Sequence, residues 1–452
     1  MKGKLAKLHF YGNYGPYIQS ERKQIYESYA KYLVQNDLAY PCFCSEEDLT
    51  IIRNKQEEQK IRPGYYGVWT KCRDLCFDEI KNKINNGEKY VLRLKSKGIE
   101  SRKTRISDII KGKLEFPEND QDIVILKSDG IPTYHFAHAV DDHLMRTTHV
   151  IRGDEWMSSL PIHIQLFEYL NFEIPRYAHI APIMKEEDGA KRKLSKRKDP
   201  EASVSFYHEQ GIPKEAVIEY LLNIANSNYE QWRKQNPTLS FDLFKLELNK
   251  MSPSGALFDM VKLLDISKTV ISRLSCEQIY DMTLEWASIY DKELKELLVN
   301  NSEYSKSIFN IERGNVKPRK DISKWKDVKD SIIYMFDENF NPSYEFQNIK
   351  DINEIKSILN AYLNIYDIND AKEIWFNKIK DLGESLGYAR ETKIYKEAPD
   401  KFKGHVGDIS TVLRIALTGR SNTPDMYEIM HLLGTNRIKT RFESCKKAID
   451  VR

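Results

Sequence analysis

Three groups of residues in this chain have the types and spacing to do chemistry. The first is GAKRKLSKRKDP at 189–200, where six of the eight residues from Lys191 to Lys198 are Lys or Arg. A run of this kind is ordinarily a solvated basic face or a nucleic-acid patch. It also combines two cations with a hydroxyl in a short loop, Lys193, Ser195 and Lys196, followed by Arg197. Such a loop can wrap a triphosphate and meet the charge that develops on a leaving pyrophosphate. The second group is HVIRGDEW at 149–156, where an apolar stretch ends in the polar burst Arg152-Gly153-Asp154-Glu155. The third is a cluster of thiols: four of the six cysteines, Cys42, Cys44, Cys72 and Cys76, fall within 35 residues.

These groups need elements to position them. Thr148-His149-Val150-Ile151 reads as a strand, and Ser158 or Ser159 caps a following helix with Pro161 in its first turn. Leu160, Ile164 and Phe167 share one face of that helix. A strand that delivers charged groups to its carboxyl end and then feeds a helix is how doubly wound α/β proteins build ligand crevices. Ser20 is the expected cap of a helix over 20–36, with Ile25, Tyr29, Tyr32 and Leu33 at helical spacing. Residues 90–94 and 123–126 read as strands, and EAVIEYLLNIA at 215–225 as a helix. From about 270 onward helical patterns dominate. The expected architecture is multidomain, α/β in front and all-α behind.

Composition agrees with an ordinary folded protein of several domains: 452 residues, 41% hydrophobic, 30% charged, net charge +3. With so small a net charge, a nucleic-acid partner must be met by a local basic surface. No run of about 18 apolar residues suggests a membrane span, and the amino terminus carries lysines without an apolar signal core. The expectation is a cytoplasmic protein without a membrane partner. Six cysteines at this length do not suggest a disulfide framework.

The order Pro132-Thr133-Tyr134, VDDH at 140–143, HVIRGDEW, a helix, and KLSKR at 193–197 resembles the second half of the catalytic domain of bacterial-type glutamyl-tRNA synthetases, class I enzymes. KLSKR stands where that family carries its KMSKS-type loop. GPYIQSER at 15–22, CFCSEEDL at 42–49, MSPSGALFD at 251–259, and KGHVGDISTVLRIALTGR with MYEIMHLLG within 403–434 are similar to the same family, in order. The resemblance implies an incomplete Rossmann-type catalytic domain with an inserted α+β connective domain, then a mostly helical stem-contact region and an all-helical anticodon-binding domain. In these terms 1–38 is a remnant of the first catalytic half, 39–131 the acceptor-binding insertion and 132–190 the second half. Residues 191–268 are the KLSKR loop and stem-contact region, and 269–452 the anticodon-binding domain.

The resemblance also implies roles. Tyr134 and Arg152 occupy the places that hold the amino-acid substrate, and a guanidinium suits a carboxylate because it can donate two parallel charge-assisted hydrogen bonds. Trp156 would line the same pocket, with His138 where relatives carry another polar group. Asp141 and Asp142 would shape the pocket or meet the tRNA end. Lys193, Ser195, Lys196 and Arg197 would bind ATP, with Mg²⁺ accompanying it. No catalytic nucleophile is expected. Some members carry zinc at the cysteine segment; Cys42, Cys44 and Cys72 are the candidate ligands here, with Asp74, Tyr66 or Cys76 completing the set, or reduced thiols as the alternative.

The family's His-x-Gly-His signature would precede GPYIQSER by a substantial segment, and His9-Phe10-Tyr11-Gly12 is not that signature. The expectation is therefore a glutamate–tRNA ligase without the amino-terminal part of its active site, of doubtful activity in this form. It would be a monomer, or be completed by a separate amino-terminal half. The alternative is a paralogue that binds tRNA without ligase activity. The expected partners are tRNA, glutamate and ATP.

Overall fold

In the computed structural model, residues 12–450 are described; His9, Phe10 and Tyr11 lie outside them. The chain forms two compact units. One comprises residues 1–193, 224–235 and 242–257, the other residues 194–223, 236–241 and 258–452.

Among the described residues the first unit contains nine strands: β1 (Ala39–Cys42), β2 (Val91–Leu94), β3 (Lys103–Asp108), β4 (Gly112–Pro117), β5 (Val124–Leu126), β6 (His149–Gly153), β7 (Arg176–Ile180), β8 (Met184–Glu187) and β9 (Ala190–Lys193). Its main helices are α1 (Lys23–Gln35), α2 (Glu46–Glu58), α3 (Phe77–Asn85), α4 (Tyr134–Leu144) and α5 (Leu160–Tyr169). Strands β1, β2 and β5 make an antiparallel sheet in the order β1-β2-β5. The sheet that matters for the site has the order β4-β3-β7-β6. In it β6 and β7 run parallel from His149↔Arg176 to Gly153↔Ile180, and β3 joins β7 in parallel at Asp108↔Tyr177. Parallel pairing sends the carboxyl ends of three strands to one edge, and those ends carry Asp108, Arg152 and His179. Hairpin β8–β9 leads into the basic loop.

Helices α1, α4 and α5 cover the sheet of β1, β2 and β5 through a core that includes Leu33, Leu94, Ile125, Phe136, Val140 and Phe167. The expected apolar face of α1 is shifted: Tyr26, Ala30 and Leu33 are buried, while Tyr32 is exposed. Ser20 does not cap this helix. It lies in a 3-10 turn, Gln19–Arg22, and Arg22 takes the cap position. The turn places Arg22, 2% exposed, where its Nε donates to Asp141 at 2.9 Å and its Nη1 to the Pro16 carbonyl at 2.8 Å. A buried ion pair outweighs a surface hydroxyl cap here. Likewise Ser159 precedes α5 without a side-chain cap bond, because residues 154–159 already form a 3-10 turn, and Pro161 sits in the first turn as expected. Gly255 of the MSPSGALFD loop lies against this unit's β8. A Cβ there would stand 2.6 Å from the Pro182 carbonyl oxygen and from Met184, so no larger residue fits.

The second unit is helical. Its main elements are α6 (Met260–Ser272), α7 (Cys276–Tyr290), α8 (Lys292–Asn300), α9 (Ser302–Asn310), α10 (Ile352–Ile365), α11 (Lys372–Ser385), α12 (Val406–Thr418) and α13 (Met426–Asp450). One continuous apolar core, with Leu298, Phe309, Leu359, Ile379, Leu413 and Phe442 among its members, runs through them. The motif residues set the helix boundaries of this unit. His405 and Asp408 form a capping box that starts α12, and Gly419 ends it at φ 71°. Gly434 breaks α13 at φ 73°, ψ 160°.

Gly419 tests this account of the helical unit. Alanine there must adopt a left-handed backbone and place its Cβ 2.6 Å from Pro342. We expect Gly419→Ala to cost at least about 1 kcal/mol, read as a lowered denaturant midpoint at unchanged slope.

Candidate active site

Arg152 stands at the end of β6, half-buried. Among the described residues it makes no ion pair with a carboxylate; its acceptors are imidazoles and one carbonyl. Its Nε donates to His179 Nε2 at 3.0 Å, and its Nη1 and Nη2 each lie 3.2 Å from His163 Nδ1. Nη2 also reaches the Trp156 carbonyl at 3.4 Å, and the guanidinium carbon sits 5.0 Å from the centre of the Tyr177 ring.

A guanidinium can only donate, so both imidazole nitrogens facing it must be acceptors. That fixes the tautomers around it. His179 then carries its proton on Nδ1, 2.7 Å from Asp108 Oδ2. His163 carries its proton on Nε2, 2.9 Å from His135 Nδ1. The arrangement requires neutral rings, and the environment keeps them neutral. Burial lowers the pKa of His163 far below its ordinary value, with the charges of His138 and Arg152 adding to it. Burial, then His138 and Arg152, lowers His135. Burial also lowers His179, against the opposing pull of Asp108 and with Arg152 assisting. Asp108 itself is opposed by burial, yet backbone N–H donors from Lys111 and Ile110, with His179, hold its carboxyl below the usual range.

An aromatic wall faces the guanidinium. Tyr134 begins α4 and is 46% exposed, with its ring centre 4.4 Å from Trp156 and 5.9 Å from His138, the last pair nearly parallel. His138 is fixed from both nitrogens, by Asp142 at 2.6 Å and the Tyr177 hydroxyl at 2.9 Å. The structure therefore brings Tyr134, His138, Arg152 and Trp156 together in one cluster of contacts. Asp141 belongs elsewhere: it accepts from Arg22 and from Tyr26 at 2.8 Å, bracing α1 against α4. Asp142 orients His138.

The basic loop begins at Lys193, whose Nζ pairs with Glu155 at 3.3 Å in the first unit. The remainder belongs to the second unit and is closed by Asp199, 3% exposed. The Asp199 carboxylate accepts the Ser195 N–H at 2.8 Å, and the Asp199 N–H returns to the Ser195 carbonyl at 2.8 Å. The Arg197 N–H reaches Ser195 Oγ at 3.4 Å. This clasp turns Lys196, Arg197 and Lys198 outward, all exposed and, among the described residues, without ion-pair partners.

The sulfurs of Cys42, Cys44 and Cys72 lie within 4.8 Å of one another. The side chain that lies against these sulfurs is Tyr65. Its hydroxyl is 3.3 Å from Cys44 Sγ and 3.6 Å from Cys42 Sγ. Tyr66 instead donates to the Arg62 carbonyl, and Cys76 is exposed at the start of α3. Hydrogen bonds from Cys44 and Cys72 lower the pKa of the Cys42 thiol, and the bonds to Cys42 and Cys72 raise that of Cys44. Next to Cys72, Arg73 donates to fully buried Asp122 and to the Ser96 carbonyl.

In the second unit the guanidinium nitrogens Arg313 Nη2 and Arg319 Nη1 are among those buried without a hydrogen-bond partner among the described residues. Burial and the charge of Arg319 push Arg313 down to about 10. A separate cavity in the same unit is floored by Trp375 and Phe376 and rimmed by Arg414, Thr423 and Pro424.

These features define a class. Residues 1–264 match the family described as tRNA synthetases class I (E and Q), catalytic domain, and residues 390–445 match the anticodon binding domain family. The chain is 50% identical over 436 residues to the glutamate–tRNA ligase of Clostridium perfringens (strain SM101 / Type A), covering 96% of this chain and 79% of that protein. It is 48% identical over 432 residues to the glutamate–tRNA ligase of Acetivibrio thermocellus, covering 96% and 79%. Its structure is similar to that of a glutamate tRNA ligase from Elizabethkingia meningosepticum crystallised with its amino acid, at TM-score 0.73 and 26% identity, covering 96% of this chain and 84% of that one. The chain belongs to the glutamate–tRNA ligase family of class I synthetases.

Sequence reasoning missed Asp108, His135, His163, Tyr177, His179 and Tyr65. Asp108 is buried within a stretch read as part of the insertion, and its link to β7 is a parallel pairing across 69 residues that no local pattern marks. The alternation Tyr177-Ala178-His179 ahead of Ala181-Pro182 was the available signal for the other strand.

Three neutral imidazoles, two of them buried, make a pH prediction. In the unfolded chain His135, His163 and His179 take up protons near pH 6.5, whereas in the folded chain their lowered pKa values delay uptake. The unfolded state thus binds more protons below pH 6.5, and stability falls as pH falls, by up to about 1.4 kcal/mol per pH unit for each histidine. Urea unfolding at pH 7.5 and 5.5 should show the lower midpoint at 5.5; equal midpoints would contradict the neutral assignment.

Proposed function

We propose that this chain attaches glutamate to tRNA at the expense of ATP, through a glutamyl-adenylate. The observation that carries the reading is Arg152: a half-buried cation with only neutral acceptors among the described residues, clustered with Tyr134, His138 and Trp156. An unpaired charge out of water is costly, and a bound carboxylate relieves that cost while gaining strong hydrogen bonds.

In the proposed reaction the α-carboxylate of glutamate attacks the α-phosphorus of ATP and pyrophosphate leaves. A terminal ribose hydroxyl of tRNA then attacks the activated carbonyl, releasing AMP. Neither step needs a protein nucleophile, so the protein's part is positioning and charge stabilisation. Arg152 and Tyr134 hold glutamate, with His138 and Trp156 shaping the wall. Lys193, Ser195, Lys196 and Arg197 meet the phosphates; the Asp199 clasp supports this by presenting the cations outward. Mg²⁺ would neutralise phosphate charge when it arrives with the nucleotide. In the helical unit, the cavity lined by Trp375, Phe376 and Arg414 suits an unstacked tRNA base.

The three sulfurs of Cys42, Cys44 and Cys72, gathered within 4.8 Å of one another, support a zinc ion held there by thiolates. Bound there, zinc would stiffen the segment that carries Arg73 into the Asp122 network. One zinc per chain is expected at purification, and Cys72→Ser should lose it with a lowered melting temperature. A zinc-free parent protein of unchanged stability would end this assignment.

Pyrophosphate exchange with glutamate, ATP and tRNA tests the main reading. Arg152→Ala should lower exchange at least about 100-fold through glutamate, and Lys196→Ala by a similar order through ATP. Exchange that ignores both substitutions would sink the site. Salt-sensitive tRNA binding with no exchange under any condition would favour the binding-only alternative.

A further inference from the structure

Arg152 has five N–H donors, and the structure accounts for four of them. Nε donates to His179, one hydrogen from each terminal nitrogen points at His163 Nδ1, and Nη2 also reaches the Trp156 carbonyl. A carboxylate that takes Nη1 and Nη2 together must displace His163 as their acceptor. The Nε bond to His179, at 3.0 Å, survives this exchange and, with the longer contact to the Trp156 carbonyl, then fixes the plane of the guanidinium. Resting on the reading of Arg152 as the glutamate anchor, we infer that His179 and Asp108 are positioning residues for glutamate binding: Asp108 locks the His179 tautomer, and His179 holds Arg152 by Nε while its outer edge takes the substrate.

The lock is geometric. The Asp108 carboxylate accepts from His179 Nδ1 at 2.7 Å and from the His179 backbone N–H at 3.1 Å, and it also accepts the N–H groups of Ile110 and Lys111. A carboxylate so held cannot rotate away, and both it and His179 are buried, at 2% and 0% exposure. The opposite tautomer would set His179 Nε2–H against Arg152 Nε–H, two donors with no acceptor between them. The charged and titratable groups that face the ring are Asp108 from β3, Lys111 from the turn after it, Arg152 from β6, His163 from α5 and Tyr177 from its own strand. Only Asp108 favours the imidazolium, and burial with two cations opposes it.

The consequence separates positioning from simple packing. An acceptor at the Nε2 place is what matters, so His179→Gln, which can offer its amide oxygen there, should bind glutamate within about three-fold of the parent, whereas His179→Leu should weaken it about ten-fold or more. Asp108→Asn, which can donate its amide to Nδ1 and force the wrong tautomer, should weaken glutamate binding by a similar factor.

The test is equilibrium glutamate binding by calorimetry for these variants and Arg152→Ala, alongside ¹⁵N-histidine NMR of the full chain from pH 8 to 5.5. The inference expects a neutral His179 with its proton on Nδ1 throughout, displaced in Asp108→Asn, and the Gln/Leu split in affinity. A His179 that titrates near pH 6.5, or that carries its proton on Nε2, overturns it; so does parent-like affinity in His179→Leu. If Arg152→Ala binds glutamate as the parent does, the anchor reading fails, while the histidine spectrum still decides the tautomer lock. Should Asp108→Asn not fold, the Gln/Leu pair and the parent spectrum decide alone.

Discussion

The first unit is organised by one constraint: a guanidinium held partly out of water with no carboxylate beside it. Meeting that constraint takes acceptors that are polar but uncharged, and neutral imidazoles supply them. From there the demands propagate. His179 needs a fixed tautomer, which Asp108 provides from a strand that must therefore pair in parallel with β7. His163 needs a donor-side partner, which His135 provides from α4. His138 needs both nitrogens occupied so that its ring can back Tyr134. The carboxylate of Asp108 sits one imidazole away from the cation. On the proposed reading, that distance leaves the cation free for a substrate anion while still compensating its field.

The same unit spends buried charge elsewhere on structure alone. Asp122 is fully buried among Arg73, Tyr40 and the Ser96 N–H, and Ser96 in turn accepts from Gln165 of α5. This network ties the cysteine segment to the helix that also carries His163. The physical logic is the reverse of the Arg152 site. Where a carboxylate closes on an arginine, as in Asp122–Arg73 or Asp141–Arg22, the group is used up in bracing the fold.

Much of this was legible in the sequence, and the reasons are physical. The strand-to-helix passage around Arg152 is local, so periodicity and Pro161 revealed it, and the motif order carried the family, the two-part architecture and the residues Tyr134, His138, Arg152 and Trp156. The loop's cations were equally plain. What stayed hidden was long-range. Asp108 and His179 meet only through a parallel strand pairing, and Tyr65 reaches the sulfurs because β1 and the 63–72 segment fold onto one another. Ser20 looked like a helix cap because the rule is local, whereas Arg22's ion pair with Asp141 spans 119 residues. Local grammar gives elements and catalytic vocabulary; it does not give tautomers.

The central claim is that Arg152 awaits a substrate carboxylate, and it is most directly tested by determining the structure of the protein with glutamate bound. The account predicts a glutamate carboxylate on Arg152 Nη1 and Nη2, beside Tyr134, with His163 released from the guanidinium and His179 still on Nε. Ordered glutamate elsewhere, with Arg152 still donating to His163, would contradict it.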